Sequence, residues 1–300
     1  MKFIDAGPSL TGAIVRPLWG KVPGIHRATS LANGLFLKLG ATPVRPARVS
    51  SGATLLVDLR SIGQWYTFYT QKADPFWINL CAELLGDDEL FLDIGANIGI
   101  YSVQVAAMKR IEGQCHAFEP MPANLARCRE NIALNGLERC VTLHGFGLSD
   151  EPKTMQLAFV AVWNGEDTGN AEIVSDAPDD GRERFEIEVR RLDDIGLPDS
   201  RIGVIKIDIE GHEDAAYAGG FERLSRDRPF IVAEYSRPEL ASRGLGPELK
   251  FDTHLPPDYV AMREDNGRLV PLTDWMALPQ LTNFFICPAE KIERARRIGG

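Results

Sequence analysis

Apolar and polar positions along this chain alternate between short, continuous apolar runs and longer runs with helical spacing. The apolar runs predict strands at Leu90–Asp93, Gln114–Phe118, Val141–His144, Val204–Asp208 and Phe230–Glu234. The helical runs between them include Ile100–Lys109 and Ala123–Leu134. Alternating strands and helices predict a doubly wound, mainly parallel α/β sheet that binds its ligand at the carboxyl ends of its strands.

Two stretches depart from this alternation. Residues 151–190 predict a small β insertion, with short strands at Met155–Val160, Ala171–Val174 and Phe185–Val189 around a turn-rich segment at 164–169. Near the end of the chain, Tyr259–Arg263 and Asn283–Cys287 predict an antiparallel pair that closes one edge of the sheet. The charged stretch Ala289–Arg297 predicts a solvated helix.

The first 50 residues have a different composition from the rest. They contain seven basic residues and a single acid, Asp5, and they predict a helix over Ile25–Leu39. We interpret residues 1–50 as a helical cap or lid, with a dimerisation element or a membrane-surface segment as alternatives. A hairpin follows over 48–60, and Asp74 is predicted to cap a helix over Pro75–Leu85. The predicted division is 1–50, a main domain over 51–288, and a helical tail over 289–300.

Composition narrows the function classes. The 300 residues carry a formal net charge of −9, which argues against binding a bare phosphate backbone. There is no apolar run of about 20 residues to span a membrane and no signal-peptide pattern. The five cysteines lack CxxC spacing, so we expect buried free thiols in a cytoplasmic protein.

The most informative stretch runs from Leu90 to Ser102, a buried strand followed by a glycine-bearing turn and a helix start. Gly95 and Gly99 carry no Cβ, so the backbone can turn tightly and approach a ligand. The backbone N–H groups at the helix start would face that ligand. A dinucleotide-binding turn would have a third glycine, which this one lacks.

Two carboxylates indicate which ligand the glycine turn would bind. Asp93, at the end of the first strand, would repel a pyrophosphate but would favour a cationic ligand such as S-adenosylmethionine. Glu119, at the end of the next strand, could accept both ribose hydroxyls of either NAD or S-adenosylmethionine. Together the two positions favour S-adenosylmethionine.

Six separated blocks resemble the FkbM family of S-adenosylmethionine-dependent methyltransferases. They are Asp93–Gly99, Phe118–Asn124, Asn131 with Leu134–Gly136, Gly147–Asp150, Leu192–Asp194 and Lys206–Glu213. The resemblance covers about 74–287 and leaves residues 1–50 outside it. It implies a Rossmann-like class I methyltransferase fold with a seven-stranded sheet, and O-methylation of a sugar, polyketide or other small metabolite. It also implies that the methyl donor is held by Asp93, Gly95, Ala96, Asn97, Gly99, Ser102, Glu119, Pro120, Gly147, Leu148 and Asp208.

The block Lys206–Glu213 carries the candidate catalytic groups. A hydroxyl acceptor must lose its proton, and Asp208 and Glu210 are our preferred bases over His212. Lys206 lies in the same block, and its structural alternative is a salt-bridge cluster with the neighbouring acids. Glu234 could complete an acidic cluster, but no ligand spacing specifies a divalent cation, so no metal site is predicted.

Other functions remain as alternatives. They are a nucleic-acid or protein methyltransferase, a nicotinamide dehydrogenase, and a non-catalytic binding protein with this fold. A base methyltransferase would carry a Pro-Pro-aromatic turn where this chain has Asp208-Ile209-Glu210-Gly211. The expected partner is a small hydroxyl acceptor rather than a nucleic acid, with homodimerisation left open.

Overall fold

The computed structural model describes residues 3–159, 171–173, 184–242, 244–246, 248 and 251–299. Its helices are α1 Phe3–Val15, α2 Ile25–Lys38, α3 Ile62–Thr70, α4 Pro75–Leu84, α5 Ile100–Lys109, α6 Pro122–Leu134, α7 Glu213–Gly219, α8 Phe221–Asp227, α9 Arg237–Ser242 and α10 Ile292–Ile298. Its strands are β1 Val44–Arg48, β2 Thr54–Asp58, β3 Leu90–Ile94, β4 Cys115–Phe118, β5 Val141–His144, β6 Gly147–Leu148, β7 Lys153–Phe159, β8 Ala171–Ile173, β9 Arg184–Arg190, β10 Ile202–Ile207, β11 Phe230–Ser236, β12 Tyr259–Asp265, β13 Arg268–Pro271 and β14 Leu281–Pro288.

The main sheet has the order β13-β12-β14-β11-β10-β3-β4-β5. Strands β11, β10, β3, β4 and β5 are parallel, and β14, β12 and β13 add an antiparallel end. Every residue of β3, β4 and β10 is buried, as expected for strands covered on both faces. The predicted doubly wound, Rossmann-like α/β fold is confirmed.

The main sheet has eight strands instead of the predicted seven. The extra strand, β13, pairs with β12 through a two-residue turn at Asn266-Gly267. Both turn residues have positive φ values, 53° and 80°, which is the conformation that Asn-Gly hairpin turns adopt. The Asn-Gly pair therefore indicated a hairpin in the sequence. Strand β13 itself could not be recognised, because it is short and ends in proline and its apolar pattern is weak.

The predicted β insertion is confirmed as a separate sheet with the order β6-β9-β7-β8. Its predicted turn at 164–169 lies outside the described residues. Leu157, Ile187 and Val189 of this sheet pack with Met121, which follows β4. The insertion therefore lies against the carboxyl end of the parallel strands.

A hairpin of β1 and β2 precedes the main sheet and is tied to α6 by two asparagine side chains. Asn131 Oδ1 accepts from the Leu56 N–H at 2.6 Å, and Asn135 Oδ1 accepts from the Thr54 N–H at 2.9 Å. Asn135 Nδ2 donates to the Thr54 carbonyl, so this amide pairs with β2 much as a neighbouring strand would. Asn131 Nδ2 also donates to the Ile98 carbonyl at 2.8 Å, which links the hairpin to the glycine turn.

The two ends of the chain pack on this core in different ways. The helix predicted at Ile25–Leu39 is present as α2, and α1 packs against α2 and α3. The C-terminal stretch was predicted to be a charged, solvated helix, and the charged residues of α10 are exposed, but its other face packs on the core. Ala295 is fully buried, and Arg294 Nη2 donates to the Leu84 carbonyl at the end of α4. All five cysteines are buried and free, as predicted.

Within the described residues, no helix has both the length and the hydropathy that a membrane span requires.

Candidate functional site

The glycine turn between β3 and α5 is held against the end of β4. The Gly95 and Ala96 N–H groups both donate to the Phe118 carbonyl, at 3.0 and 2.9 Å. Gly95, Asn97 and Gly99 have φ values of 80°, 51° and 83°. A Cβ on Gly95 would lie 1.9 Å from the Asp208 carbonyl oxygen, so only glycine allows β3 and β10 to approach this closely.

Asp93 lies beneath this turn and not in the cavity above it. Its carboxylate accepts hydrogen bonds from the backbone N–H and the hydroxyl of Ser102, at the start of α5. Burial raises the pKa of Asp93 to about 6, although the Ser102 hydrogen bonds oppose this rise. In this structure Asp93 and Ser102 fix the entry of α5, so they shape the turn from below.

Glu119 follows β4 and closes the other side of the turn. Its Oε2 accepts from the Asn97 N–H and its Oε1 from the Met121 N–H, both at 2.8 Å. Burial raises the pKa of Glu119 to about 7, and its hydrogen bonds to these amides and to Asn124 lower it in part. The carboxylate is therefore oriented at the cavity wall, and it retains lone pairs for a ligand hydroxyl.

A cavity opens above the turn at the carboxyl ends of the parallel strands. It is lined by Ile94, Gly95, Asn97, Phe118, Glu119, Pro120, Met121, Asn124, Gly147, Leu148, Leu157, Ile187, Val189, Asp208, Ile209, Glu210 and His212. Nine predicted site residues are thus brought together, namely Gly95, Asn97, Glu119, Pro120, Gly147, Leu148, Asp208, Glu210 and His212. The other five predicted residues lie behind this lining, namely Asp93, Ala96, Gly99, Ser102 and Lys206.

The β insertion supplies part of the cavity wall, which was not predicted. Leu157 of β7, with Ile187 and Val189 of β9, presents an apolar surface beside Gly147 and Leu148. A Cβ on Gly147 would lie 3.2 Å from Val189 Cγ1. The strand pattern identifies Ile187 and Val189 as inward-facing, but it does not indicate that they face a ligand site.

The loop after β10 brings carboxylates to the opposite end of the cavity. Asp208 N donates to the Ile94 carbonyl at 3.0 Å, which holds the loop next to the glycine turn. Glu210 has a φ of 52°, an uncommon left-handed conformation for a glutamate, and is followed by Gly211 at 86°. Glu213 stabilises this bend, because its Oε1 accepts from the Ile209 and Gly211 N–H groups.

His212 bridges two loops at the edge of the cavity. Its Nε2 lies 2.9 Å from Ser149 Oγ, and Ser149 Oγ donates to Asp150 Oδ1 at 2.8 Å. A hydroxyl has one proton, so the serine accepts from the His212 Nε2–H. His212 thus joins the loop after β10 to the loop after β6, and this role differs from that of a free base.

Lys206 is buried at the centre of an acidic group. Its Nζ lies 3.4 Å from Asp208 Oδ2, donates to the Ile207 carbonyl at 3.2 Å, and lies 5.3 Å above the Tyr101 ring. Burial alone would lower the pKa of Lys206, but the surrounding carboxylates raise it above its ordinary value. Burial and the carboxylate of Asp208 raise the pKa of Glu234, so Glu234 is the group that holds a proton at neutral pH.

Asp208, Glu210 and Glu234 each place one carboxylate oxygen within 4.8 Å of the others. Such spacing would suit a cation, but the Lys206 ammonium already supplies positive charge beside Asp208. The acids therefore form a cluster balanced by a lysine, and we assign no metal to it.

A hydrogen-bonded triad next to this cluster was missed from the sequence. Asp74 Oδ2 accepts from the Tyr101 hydroxyl at 2.9 Å and from Asn283 Nδ2 at 3.2 Å. The prediction that Asp74 caps α4 through its side chain is wrong, because it makes no side-chain cap bond and turns to Tyr101. Asn283 pairs with Glu234 across β14 and β11, so the triad adjoins the acidic cluster. An acidic residue just before a helix is usually predicted to be its N-cap, so the sequence offered no reason to pair Asp74 with Tyr101 and Asn283.

Comparison with known proteins identifies relatives for this part of the chain. The model of the methyltransferase FkbM domain matches residues 93–263, more than half of the chain. The 2-O-methyltransferase NoeI of Sinorhizobium fredii (strain NBRC 101917 / NGR234) is 33% identical in an alignment 169 residues long that covers 51% of this chain and 65% of that protein. The chain therefore covers less than two thirds of this relative.

The solved structures that match the chain share little sequence with it. A methyltransferase FkbM from Methylobacillus flagellatus KT is 16% identical with a TM-score of 0.41, over 94% of this chain and 60% of that one. TYW2 of M. jannaschii, solved in complex with AdoMet, is 13% identical with a TM-score of 0.40, over 82% and 85%.

Proposed function

Since the chain belongs to the FkbM methyltransferase family, we propose that it transfers the methyl group of S-adenosylmethionine to a hydroxyl of a sugar, a polyketide or another small metabolite. The observation that carries this proposal is the arrangement around the cavity. An oriented carboxylate, Glu119, lies at one wall and a lysine-balanced acidic cluster lies at the other. The name of the relative NoeI supports an alcohol oxygen as the acceptor atom.

The residues around the glycine turn fit the methyl donor. Asn97 Oδ1 is buried and has no hydrogen-bond partner among the described residues, although Asn97 lines the cavity. This atom would accept from the amino group of the donor. Glu119 would accept from its ribose hydroxyls, and the apolar surface of Leu148, Ile187 and Val189 would cover its adenine ring. When bound, the donor supplies a methyl group on a sulfonium, which an oxygen nucleophile can accept.

The acidic end of the cavity fits the acceptor. Alignment of the hydroxyl with the methyl group is the main requirement of this reaction. Glu210 and Asp208 line the cavity, so either carboxylate can take the proton of an acceptor hydroxyl. The Lys206 ammonium forms an ion pair with Asp208, 3.4 Å from its Oδ2. We assign Glu210 as the base, because it lines the cavity on the bent loop after β10, at the end opposite Glu119.

Two measurements test the proposal, one of donor binding and one of methyl transfer. Calorimetry should show binding of S-adenosylmethionine and S-adenosylhomocysteine, with no binding of NAD. A methyl-release assay should then show turnover with hydroxyl acceptors, beginning with sugars that have a free 2-hydroxyl. Binding of NAD in place of the methyl donor would overturn the cofactor assignment.

The acceptor arms of the assay separate the remaining alternatives. Turnover on nucleic acid or protein, with none on small hydroxyl compounds, would overturn the acceptor class. Donor binding without turnover on any acceptor would favour a non-catalytic binding protein. The acidic loop Asp208–Gly211 argues against nucleic acid, because its carboxylates would repel a phosphate backbone.

A further inference from the structure

Helix α2 buries two polar side chains against the protein and exposes a stripe of leucines to solvent. Its fully buried residues are Thr29 and Asn33, and Asn33 Nδ2 donates to the Leu59 carbonyl at 2.7 Å. Leu31, Leu35 and Leu39, each four residues apart, are 72, 56 and 58% exposed. A surface helix normally has the opposite arrangement, so this outward stripe calls for an apolar cover.

The leucine stripe belongs to a segment of the chain in which exposed apolar side chains are concentrated. Fourteen large apolar side chains are exposed among the described residues, and seven of them lie between residues 10 and 39. We call these seven the N-terminal apolar surface, which consists of Leu10, Ile14, Leu18, Val22, Leu31, Leu35 and Leu39. Half of the exposed apolar side chains are therefore concentrated in a tenth of the chain.

The same segment is strongly basic. Residues 1–50 contain seven basic residues and one acid, a net charge of +6, so the remaining 250 residues carry −15 within the total of −9. The single acid, Asp5, is paired with Arg45 at 3.1 Å. Lys21, Arg27 and Lys38 are exposed and form no ion pair with any described residue. Arg27 precedes Leu31 by one helical turn and Lys38 adjoins Leu39, so cations border the leucine stripe.

We propose that the N-terminal apolar surface docks on a lipid bilayer that contains anionic headgroups. Leucines would enter the boundary between headgroups and acyl chains, while Lys21, Arg27 and Lys38 would contact the headgroup phosphates. Trp19 and Tyr66 pack edge to face with ring centroids 5.4 Å apart next to this segment, and both residue types favour that interface. The negative remainder of the protein would be repelled, which orients the basic segment toward the lipid.

Charge also argues against the other occupants. A two-fold dimer through this surface would bring two basic patches together, because the same residues face each other across the axis. A nucleic acid would satisfy the cations but not seven exposed apolar side chains. An anionic bilayer satisfies both features at once. This proposal is independent of the methyl-transfer function.

Vesicle sedimentation tests the proposal with the full chain. The native protein should bind vesicles of phosphatidylcholine with phosphatidylglycerol and should bind pure phosphatidylcholine weakly. The triple variant Leu31→Gln, Leu35→Gln, Leu39→Gln should lower the partition coefficient by about tenfold or more, because it removes the apolar stripe. Replacing Lys21, Arg27 and Lys38 by glutamine should remove the preference for anionic vesicles.

Matched controls separate lipid binding from general effects. The double variant Leu134→Gln, Leu245→Gln removes exposed leucines elsewhere and should bind vesicles like the native protein. Thermal unfolding should show that the triple variant is folded. Equal vesicle binding by the native protein and the triple variant would overturn the proposal. So would light scattering that shows a native dimer which the triple variant converts to a monomer, since a second copy would then cover the surface.

Discussion

Replacing Gly95 by alanine should separate the two strands that form the floor of the cavity. The new Cβ would lie 1.9 Å from the Asp208 carbonyl oxygen and 2.9 Å from Ile209 Cγ2, whereas ordinary contacts begin at 3.4 Å. Relief therefore requires a movement of about 1.5 Å (3.4 − 1.9) between the ends of β3 and β10. That movement would break the hydrogen bond from Asp208 N to the Ile94 carbonyl, which is 3.0 Å long.

The cost has two parts. A left-handed alanine costs roughly 1–2 kcal/mol, and the loss of one buried backbone hydrogen bond adds about 1–3 kcal/mol. We therefore expect Gly95→Ala to lower the free energy of unfolding by roughly 2–5 kcal/mol. Because Asp208 and Glu210 move with β10, we also expect kcat/KM for methyl transfer to fall by about 100-fold or more.

Gly113→Ala is the matched control. Gly113 also has a positive φ, 67°, but an added Cβ would have no atom within 4 Å. It should lower stability by only about 1–2 kcal/mol and leave activity unchanged. Urea unfolding measures stability, a methyl-release assay measures kcat/KM, and calorimetric titration with S-adenosylhomocysteine measures binding at the site. A Gly95→Ala variant that was as stable as Gly113→Ala and bound S-adenosylhomocysteine like the native protein would contradict this prediction. The close approach of β3 and β10 would then be needed neither for stability nor for binding.

Three further substitutions test the charged groups. Affinity for S-adenosylhomocysteine should fall by up to about tenfold for each pH unit below 7, as Glu119 is protonated, and Glu119→Gln should abolish this dependence. The raised pKa also means that Glu119 stabilises the fold below its unfolded pKa and that this contribution is lost as the pH rises through about 7. If Glu119→Gln left the pH dependence of unfolding unchanged, the assignment would be wrong. Lys206→Met should destabilise the protein by about 1.5–3 kcal/mol at pH 7, because it leaves the Asp208 carboxylate without its charged partner; a urea midpoint equal to that of the native protein would argue against the cluster. Glu210→Gln should retain affinity for S-adenosylhomocysteine while kcat falls by about 10²–10⁴-fold, and unchanged turnover would remove Glu210 as the base.

Most of the main sheet could be predicted because its signals are local. The parallel strands are continuous apolar runs, and α5 begins and ends where its pattern predicts, at Ile100 and Lys109. The carboxyl ends of β3, β4 and β10 meet at one edge in any doubly wound sheet, so Glu119 and Asp208 could be expected in one cavity.

What escaped prediction depends on contacts between distant parts of the chain. Asp74 and Asn283 are 209 positions apart, and their hydrogen bond leaves no local pattern. No local pattern shows that Ile187 lines the cavity either. It does so because the β insertion packs against Met121. Asp93 was expected to contact the ligand. Its carboxylate instead accepts hydrogen bonds from Ser102, in the first turn of α5. A sequence shows which polar groups need partners, but not which of several partners each one finds.

The asparagine contacts of α6 limit where this protein can be cut or grafted. Asn131 binds β2 with one end of its amide and the glycine turn with the other, so the hairpin and the cavity floor share a single side chain. A fragment that began at residue 51 would lose β1, the strand that pairs with β2. Strand β2 would then keep its contact with the Asn131 amide but not its strand partner. The region before the main sheet is therefore not an interchangeable module, and chimeras that exchange it should carry α6 along with it.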